Sequence, residues 1–129
     1  KNCCAVGSFE ISIIQSHIVY EIDKQQTPSM QQIAETLAMD ITTFSRQIQT
    51  LIKMGLVKKT PSTQDKRVSI LSLTTQGKFV ATTIDESMNA YLEEVFSHMN
   101  DFEKETVLRS IQLLNEAMAK SKVCCTPIY

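Results

Sequence analysis

One predicted helix, over residues 41–53, combines an apolar face with a face of hydrogen-bonding and basic side chains. The apolar residues recur at helical spacings of three and four and are expected to face inward: Ile41, Phe44, Ile48, Leu51 and Ile52. The opposite face carries neutral hydrogen-bonding residues and cations without an acid: Thr42, Thr43, Ser45, Arg46, Gln47, Gln49, Thr50 and Lys53. Arginine pairs with guanine, glutamine with adenine, and serine or threonine with bases or phosphates. This composition predicts a face that reads base edges in a DNA major groove.

The charged residues are unevenly distributed along the chain. The net charge of the 129 residues is −1, yet residues 41–78 hold seven basic side chains and one acid, Asp65, a local charge of +6. Phosphates attract lysine and arginine, and the release of counterions drives binding to a duplex. The segregation favours a nucleic-acid partner, and the alternative is a solvated charged face without one.

A polar turn at residues 61–66 supplies further candidate contacts. Lys66 and Arg67 stand at its base, beside the predicted returning strand, where basic residues of a hairpin can reach a flanking minor groove. Asp65 is the acid among them, and we expect it to orient Arg67 or Arg46 by a charge-assisted hydrogen bond. The alternative is a solvated hairpin whose polar residues only turn the chain.

The predicted elements before this hairpin are three helices. Apolar residues indicate a first helix from Phe9 to Lys24, with the spacing 11-14-18-22 on one face. Ser29, with Gln32 three residues later, has the pattern of a capping box that begins a short second helix. Asp40 is the predicted N-cap of the third helix, over residues 41–53.

Two strands and two longer helices follow. Gly55 stands where a left-handed residue ends a helix. Residues 56–60 and 68–73 read as the strands of a hairpin. Thr74 is expected to cap a helix that runs to about Met99, and Asp101 to cap a last helix with an apolar face of Phe102, Val107, Leu108, Ile111, Leu114 and Met118. The predicted fold is mainly α (α+β): a winged helix-turn-helix with a two-stranded wing and flanking dimerisation helices.

The order of these motifs resembles the MarR family of bacterial regulators. The resemblance runs from about residue 9 to residue 118, and its most specific parts are Asp65-Lys66-Arg67 and Leu73-Thr74-Thr75-Gln76-Gly77. It implies a homodimer on a pseudo-palindromic site that represses genes near its own and is released by a small molecule or by thiol oxidation. Arg46 and its neighbours would then lie in the major groove and Arg67 in the wing. The sequence departs from the pattern of this family in two ways. The N-terminal helix is short or absent, and position 59 is lysine where family members commonly have arginine.

The predicted organisation is a single domain over residues 1–129. Residues 26–76 form the DNA-binding lobe, and residues 1–25 and 77–129 form a helical dimerisation region. The last two helices hold more apolar residues than one small core needs, which favours a dimer. The alternative is a monomer in which these helices complete the core.

Four cysteines form two vicinal pairs, Cys3-Cys4 and Cys124-Cys125. The spacing of a zinc finger is missing, and a reducing cytoplasm disfavours structural disulfides. Two pairs brought together would offer up to four thiolates to a soft metal or an arsenical, or would act as a redox switch. The alternative is frayed chain ends with unpaired thiols, or cysteines that act as small buried hydrophobic side chains. We expect that the protein requires no cofactor.

The remaining patterns mainly exclude functions. No nucleophile motif, phosphate-binding glycine loop or zinc-protease motif is present, so an enzyme is not expected. No apolar run suits a membrane span or a signal peptide, and we expect a cytoplasmic protein. His17 is a candidate for lining an effector pocket, or an ordinary hydrogen-bonded histidine. The rival function is a winged-helix module that binds protein instead of DNA.

Overall fold

The computed structural model describes residues 5–6 and 9–121. Its elements in chain order are β1 (Ala5–Val6), β2 (Phe9–Glu10), α1 (Ile13–Gln25), α2 (Met30–Thr36), α3 (Ile41–Lys53), β3 (Val57–Pro61), β4 (Ser69–Leu73), α4 (Thr75–Ser97) and α5 (Asp101–Ser121). β1 pairs with β2 and β3 pairs with β4, both antiparallel. Five helices with a two-stranded wing, β3–β4, confirm the predicted fold class. None of the helices within the described residues is long and apolar enough to cross a membrane.

The chain divides into two compact units, residues 1–88 and 89–129. The first unit contains the whole hydrophobic core, to which every element from α1 to the first half of α4 contributes: Ile11, Ile18, Val19, Ile22, Ile33, Ala34, Phe44, Ile48, Leu51, Leu56, Val57, Leu71, Val80 and Ala81. This core holds α2, α3 and the wing in one body. The predicted boundaries at residues 25 and 76 stay predictions.

The first helix begins later than predicted. α1 starts at Ile13 because Ser12 caps it: the Ser12 hydroxyl accepts a hydrogen bond from Gln15 N at 3.2 Å, and the Gln15 side chain accepts one from Ser12 N at 3.1 Å. This reciprocal pair is a capping box, which was not noticed in the sequence. The expectation that Ile14 lies on the inward face was also wrong, since 48% of Ile14 is exposed.

The predicted caps of the next two helices are confirmed. Ser29 and Gln32 form a capping box at α2, and Asp40 accepts a hydrogen bond from Thr43 N at 3.0 Å at α3. The inward face of α3 is narrower than predicted, because Ile41 and Ile52 are 53% and 39% exposed. At 100° per residue both lie roughly 60–80° from the direction of Phe44, on a flank of the helix.

The base of the wing is locked by the segment that begins α4. Thr74 Oγ donates a hydrogen bond to Gly55 O at 2.6 Å and accepts one from Gly77 N at 3.0 Å, while Thr74 N donates to Leu56 O at 3.0 Å. Gly55 has the predicted left-handed conformation, with φ of 77°. The Leu-Thr-x-x-Gly motif therefore ties the end of α3, the wing and α4 together.

The second unit consists of the end of α4 and the whole of α5. Asn100, not Asp101, caps α5: Asn100 Oδ1 accepts from Glu103 N at 2.8 Å and Glu103 Oε1 accepts from Asn100 N at 3.1 Å. None of the α5 residues is buried. Most of the side chains predicted to face inward are exposed within one chain, as Phe102 (78%), Ile111 (52%) and Leu114 (60%) illustrate.

Candidate nucleic-acid interface

α3 presents a single outward row of polar and basic side chains. Its core residues Phe44, Ile48 and Leu51 fix which side of the helix faces inward. On the opposite side, residues spaced by four, three and four positions form one row, and all four are exposed: Thr42, Arg46, Gln49 and Lys53. Residues at this spacing lie on one face of an α-helix, so they can meet one groove of a duplex together.

The other predicted contact residues of α3 lie at the sides of this row. Thr43 is exposed and Ser45 is half-buried. Gln47 is also half-buried, and its Oε1 accepts a hydrogen bond from Gln15 Nε2 of α1 at 3.3 Å. The structure therefore brings Thr42, Arg46, Gln49 and Lys53 together and turns Gln47 towards α1.

The start of α3 carries a carboxylate that stays ionised. Hydrogen bonds from the side chain and backbone of Thr43 hold the pKa of Asp40 below its ordinary value, and the nearby Arg46 guanidinium acts in the same direction. A negative charge is favourable at a helix N-terminus, where the unpaired N–H groups point. Asp40 thus stabilises the first turn of α3, from which the outward row begins.

The wing holds the predicted contact between Asp65 and Arg67. Asp65 Oδ1 accepts hydrogen bonds from Arg67 N at 3.0 Å and from Arg67 Nε at 3.3 Å. Of the two partners expected for Asp65, the structure shows Arg67 and not Arg46. The Arg67 side chain is 92% exposed, so the contact orients its guanidinium without covering it. Lys66 is exposed beside it.

Most cations of the basic segment form no ion pair with a described acid, although Arg46 lies near enough to Asp40 to lower the pKa of that carboxyl. Lys78 is neutralised by Asp23 of α1, and Arg67 is bound to Asp65. The other five form no ion pair with any residue in the described ranges: Arg46, Lys53, Lys58, Lys59 and Lys66. Unpaired exposed cations keep their full attraction for phosphates.

A groove separates the wing from the start of α2 and α3. It has a volume of about 360 Å³, and both basic and apolar side chains line it, among them Lys59, Arg67, Met30, Ile41 and Val68. The sequence indicated Lys59 only as a departure from a family pattern. Its place in the strand β3, next to the equally exposed Lys58, is the signal that could have identified both as site residues.

The predicted sensor residues fall partly outside the described structure. Cys3, Cys4, Cys124 and Cys125 lie outside the described residues, so the cysteine site stays a prediction. Within residues 5–6 and 9–121, no group of three or more His, Cys, Asp or Glu side chains could hold a metal ion. His17 is exposed on α1.

Comparison with known proteins finds similar transcription regulators. A family model described as the MarR family matches residues 11–69. The HTH-type transcriptional regulator PapX of Escherichia coli is 30% identical over 81 residues, which are 63% of this chain and 49% of PapX. The chain thus spans about half the length of the curated relatives it matches.

Two solved structures show the same fold. FabT of Streptococcus pneumoniae, in complex with DNA, matches with a TM-score of 0.82 and 23% identity, over 88% of this chain and 79% of FabT. A mutant MarR of Escherichia coli, complexed with operator DNA, matches with a TM-score of 0.69 and 19% identity, over 81% of this chain and 76% of that one. At this identity the likeness establishes the winged-helix fold.

Proposed function

We propose that the protein is a sequence-specific DNA-binding transcription regulator of the MarR family, whose family model matches residues 11–69. The observation that carries the proposal is the exposed row of α3, Thr42, Arg46, Gln49 and Lys53. Five of the seven cations in residues 41–78 form no ion pair with any described residue. Direct readout needs donors and acceptors on one helical face, and phosphate binding needs free cations around it. Both conditions are met in the first unit.

We propose that α3 enters the major groove and that the wing contacts the flanking DNA. In helix-turn-helix proteins the second helix of the motif reads base edges, while basic residues beside it hold the phosphates. Thr42, Thr43, Ser45, Arg46, Gln49 and Lys53 are the proposed contacts of α3, and Lys66 and Arg67 those of the wing. Lys58 and Lys59 join them as phosphate contacts.

The proposed binding form is a homodimer on a pseudo-palindromic site. The second unit exposes a row of large apolar side chains on α5, including Leu108, Ile111, Leu114 and Met118, and a soluble monomer rarely leaves so many uncovered. A second copy of the chain would cover them and would place two copies of α3 about 34 Å apart, one turn of DNA. Binding of this kind at a promoter would block transcription, so the proposed action is repression.

Release from DNA is proposed to follow an effector or a thiol modification. Two vicinal cysteine pairs, Cys3-Cys4 and Cys124-Cys125, offer soft ligands for a metal or an arsenical and targets for oxidation. Titrating zinc(II), arsenite or an oxidant into the DNA complex tests this proposal. Release from the wild type, but not from a Cys124→Ser/Cys125→Ser variant, supports a thiol sensor. Equal behaviour of both proteins would redirect the search to a small molecule.

The DNA-binding proposal is tested by selecting duplexes from a random-sequence library and measuring the affinity of the enriched duplex at several salt concentrations. We expect the logarithm of the affinity to fall linearly with the logarithm of salt concentration, and Arg46→Ala to weaken binding by about 10-fold or more. Lys24→Ala removes one positive charge from α1 and serves as the matched control, with little expected effect. A folded wild type that enriches no duplex would favour a protein-interaction module instead.

A further inference from the structure

Gln47 differs from the other polar residues of α3 in where it points. It follows Phe44 by three positions, so its side chain leaves the helix only about 60° from the direction of that buried ring. Arg46, in contrast, leaves it roughly 160° away, on the outward side. Gln47 is accordingly half-buried, whereas Arg46 is exposed. Gln47 therefore lies between the core and the outward row.

The partner of Gln47 is an amide that two contacts hold in place. Gln15 Nε2 donates to Gln47 Oε1 at 3.3 Å, and Gln15 Oε1 accepts from Ser12 N at 3.1 Å. The amide of Gln15 cannot reverse without placing its carbonyl against the carbonyl of Gln47 and its amino group against an N–H donor. The orientation of Gln15 is thus defined by the N-terminal cap of α1 at one end and by α3 at the other.

This contact adds a directional constraint between two elements that share the hydrophobic core. Hydrophobic packing is not directional, whereas a hydrogen bond between side chains 32 positions apart fixes a register. Among the described residues, the bond between Gln15 and Gln47 is the only side-chain hydrogen bond that joins α3 to α1. The angle at which α3 docks in the DNA groove decides which residue meets which base.

From this geometry we infer that Gln47 is a positioning residue, which sets the docking of α3 through Gln15, and that it does not read a base. The inference rests on the proposed function and changes one part of the sequence prediction, which placed Gln47 among the DNA contacts. A glutamine that reads adenine uses both its Oε1 and its Nε2. In this protein Oε1 of Gln47 accepts the hydrogen bond of Gln15, which turns the amide towards α1 and away from the outward row.

Methionine replaces glutamine with little change of length and removes the hydrogen bonds, so Gln15→Met and Gln47→Met are the test variants. Each variant, and the double variant, is mixed with the same random-sequence duplex library as the wild type, and bound DNA is sequenced. Affinity is then measured on the duplex that the wild type enriches. Gln25→Met is the matched control, because it makes the same substitution at an exposed residue of α1 whose side chain contacts Glu21 and Thr36 and not α3.

We expect each single variant to bind the enriched duplex about three- to tenfold more weakly, the value of one hydrogen bond. The double variant should be no weaker than either single one, since both remove the same contact. All three variants should show the same base preferences as one another, because each releases the same constraint on the docking of α3. Gln25→Met should retain the wild-type affinity and base preferences.

Two results would overturn this inference and leave the proposed function intact. In the first, Gln47→Met changes the preference at one base pair while Gln15→Met changes nothing, which would make Gln47 a reader. In the second, Gln15→Met binds as tightly as the wild type while Arg46→Ala has lost binding. A folded wild type that enriches no duplex would instead overturn the proposed function and this inference with it.

Discussion

Replacing Gly77 by alanine tests the lock at the base of the wing most directly. A Cβ atom at position 77 would lie 2.0 Å from the carbonyl oxygen of Leu56 and 2.9 Å from its carbonyl carbon. Non-bonded carbon and oxygen atoms stay more than about 3 Å apart in close-packed interiors, so α4 and the turn before β3 would have to separate by roughly 1 Å. The obstacle is backbone, which cannot turn aside as a flexible side chain can.

The size of the effect follows from three contributions. Overpacking of this kind costs about 3 kcal/mol at the upper end of its usual range. The separation also weakens the hydrogen bond from Thr74 N to Leu56 O, now 3.0 Å, which is worth about 1 kcal/mol. Alanine regains about 1 kcal/mol as the better helix former. The net loss is about 3 kcal/mol, which lowers the melting temperature by roughly 12 °C for a chain of this size.

Thermal and urea denaturation followed by circular dichroism measure this loss. Gln76→Ala is the matched control, because Gln76 is the exposed neighbour of Gly77 in the same turn of α4, and its stability should change little. Without the close approach to Leu56, alanine would stabilise the helix. A melting temperature for Gly77→Ala at or above that of the wild type would therefore refute the packing argument by the sign of the change alone.

Three further predictions concern other parts of the chain. Gly55→Ala places a side chain at φ of 77°, where its Cβ atom would have no contact nearer than 3.4 Å. The free energy of unfolding in urea should therefore fall by only about 1–2 kcal/mol, less than for Gly77→Ala. An equal or larger fall would contradict this ranking. The pKa of Asp40 is lowered from 3.8, so its carboxylate stabilises the fold above pH 3.8, and this stabilisation is lost as the pH falls through the lowered pKa. Asparagine keeps a good N-cap but does not ionise, so Asp40→Asn should lose less stability than the wild type below about pH 5. Identical pH profiles of the two proteins would rule the effect out. Ile111→Glu places a charge on the exposed apolar row of α5 and should convert a dimer into a monomer. Analytical ultracentrifugation measures this change, and a variant that remains dimeric would show that this row is not the interface.

The close approach of Gly77 to Leu56, together with the hydrogen bonds of Thr74, also holds the wing and α3 in a fixed arrangement. Thr74 contacts Gly55, Leu56 and Gly77 through its hydroxyl and its N–H. A serine at position 74 would keep the hydroxyl, whereas valine would keep the shape and remove two hydrogen bonds. The segment that joins the DNA-reading lobe to α4 is therefore held by polar contacts at one residue and by a close backbone approach at another.

Much of the first unit could be read from local patterns. The caps Ser29 and Asp40 and the left-handed Gly55 were predicted correctly, because capping and turn conformations depend on residues only a few positions apart. Asp65 pairs with Arg67, one of the two partners that were expected for it, and this partner is its near neighbour at one turn. The mainly α winged-helix fold followed from the order of these elements and from the motif around Thr74.

Other features depended on packing between distant parts of the chain. Periodicity placed Ile41 and Ile52 inward, yet the neighbours of α3 cover only the narrower face of Phe44, Ile48 and Leu51. Composition put Gln47 on the DNA face, and only the approach of α1, 32 positions away, turned it towards Gln15. The sequence by itself determined the elements and their chemistry, because these are set by near neighbours. The tertiary structure decided which side chains remain available for DNA, because that depends on which surfaces the core brings together.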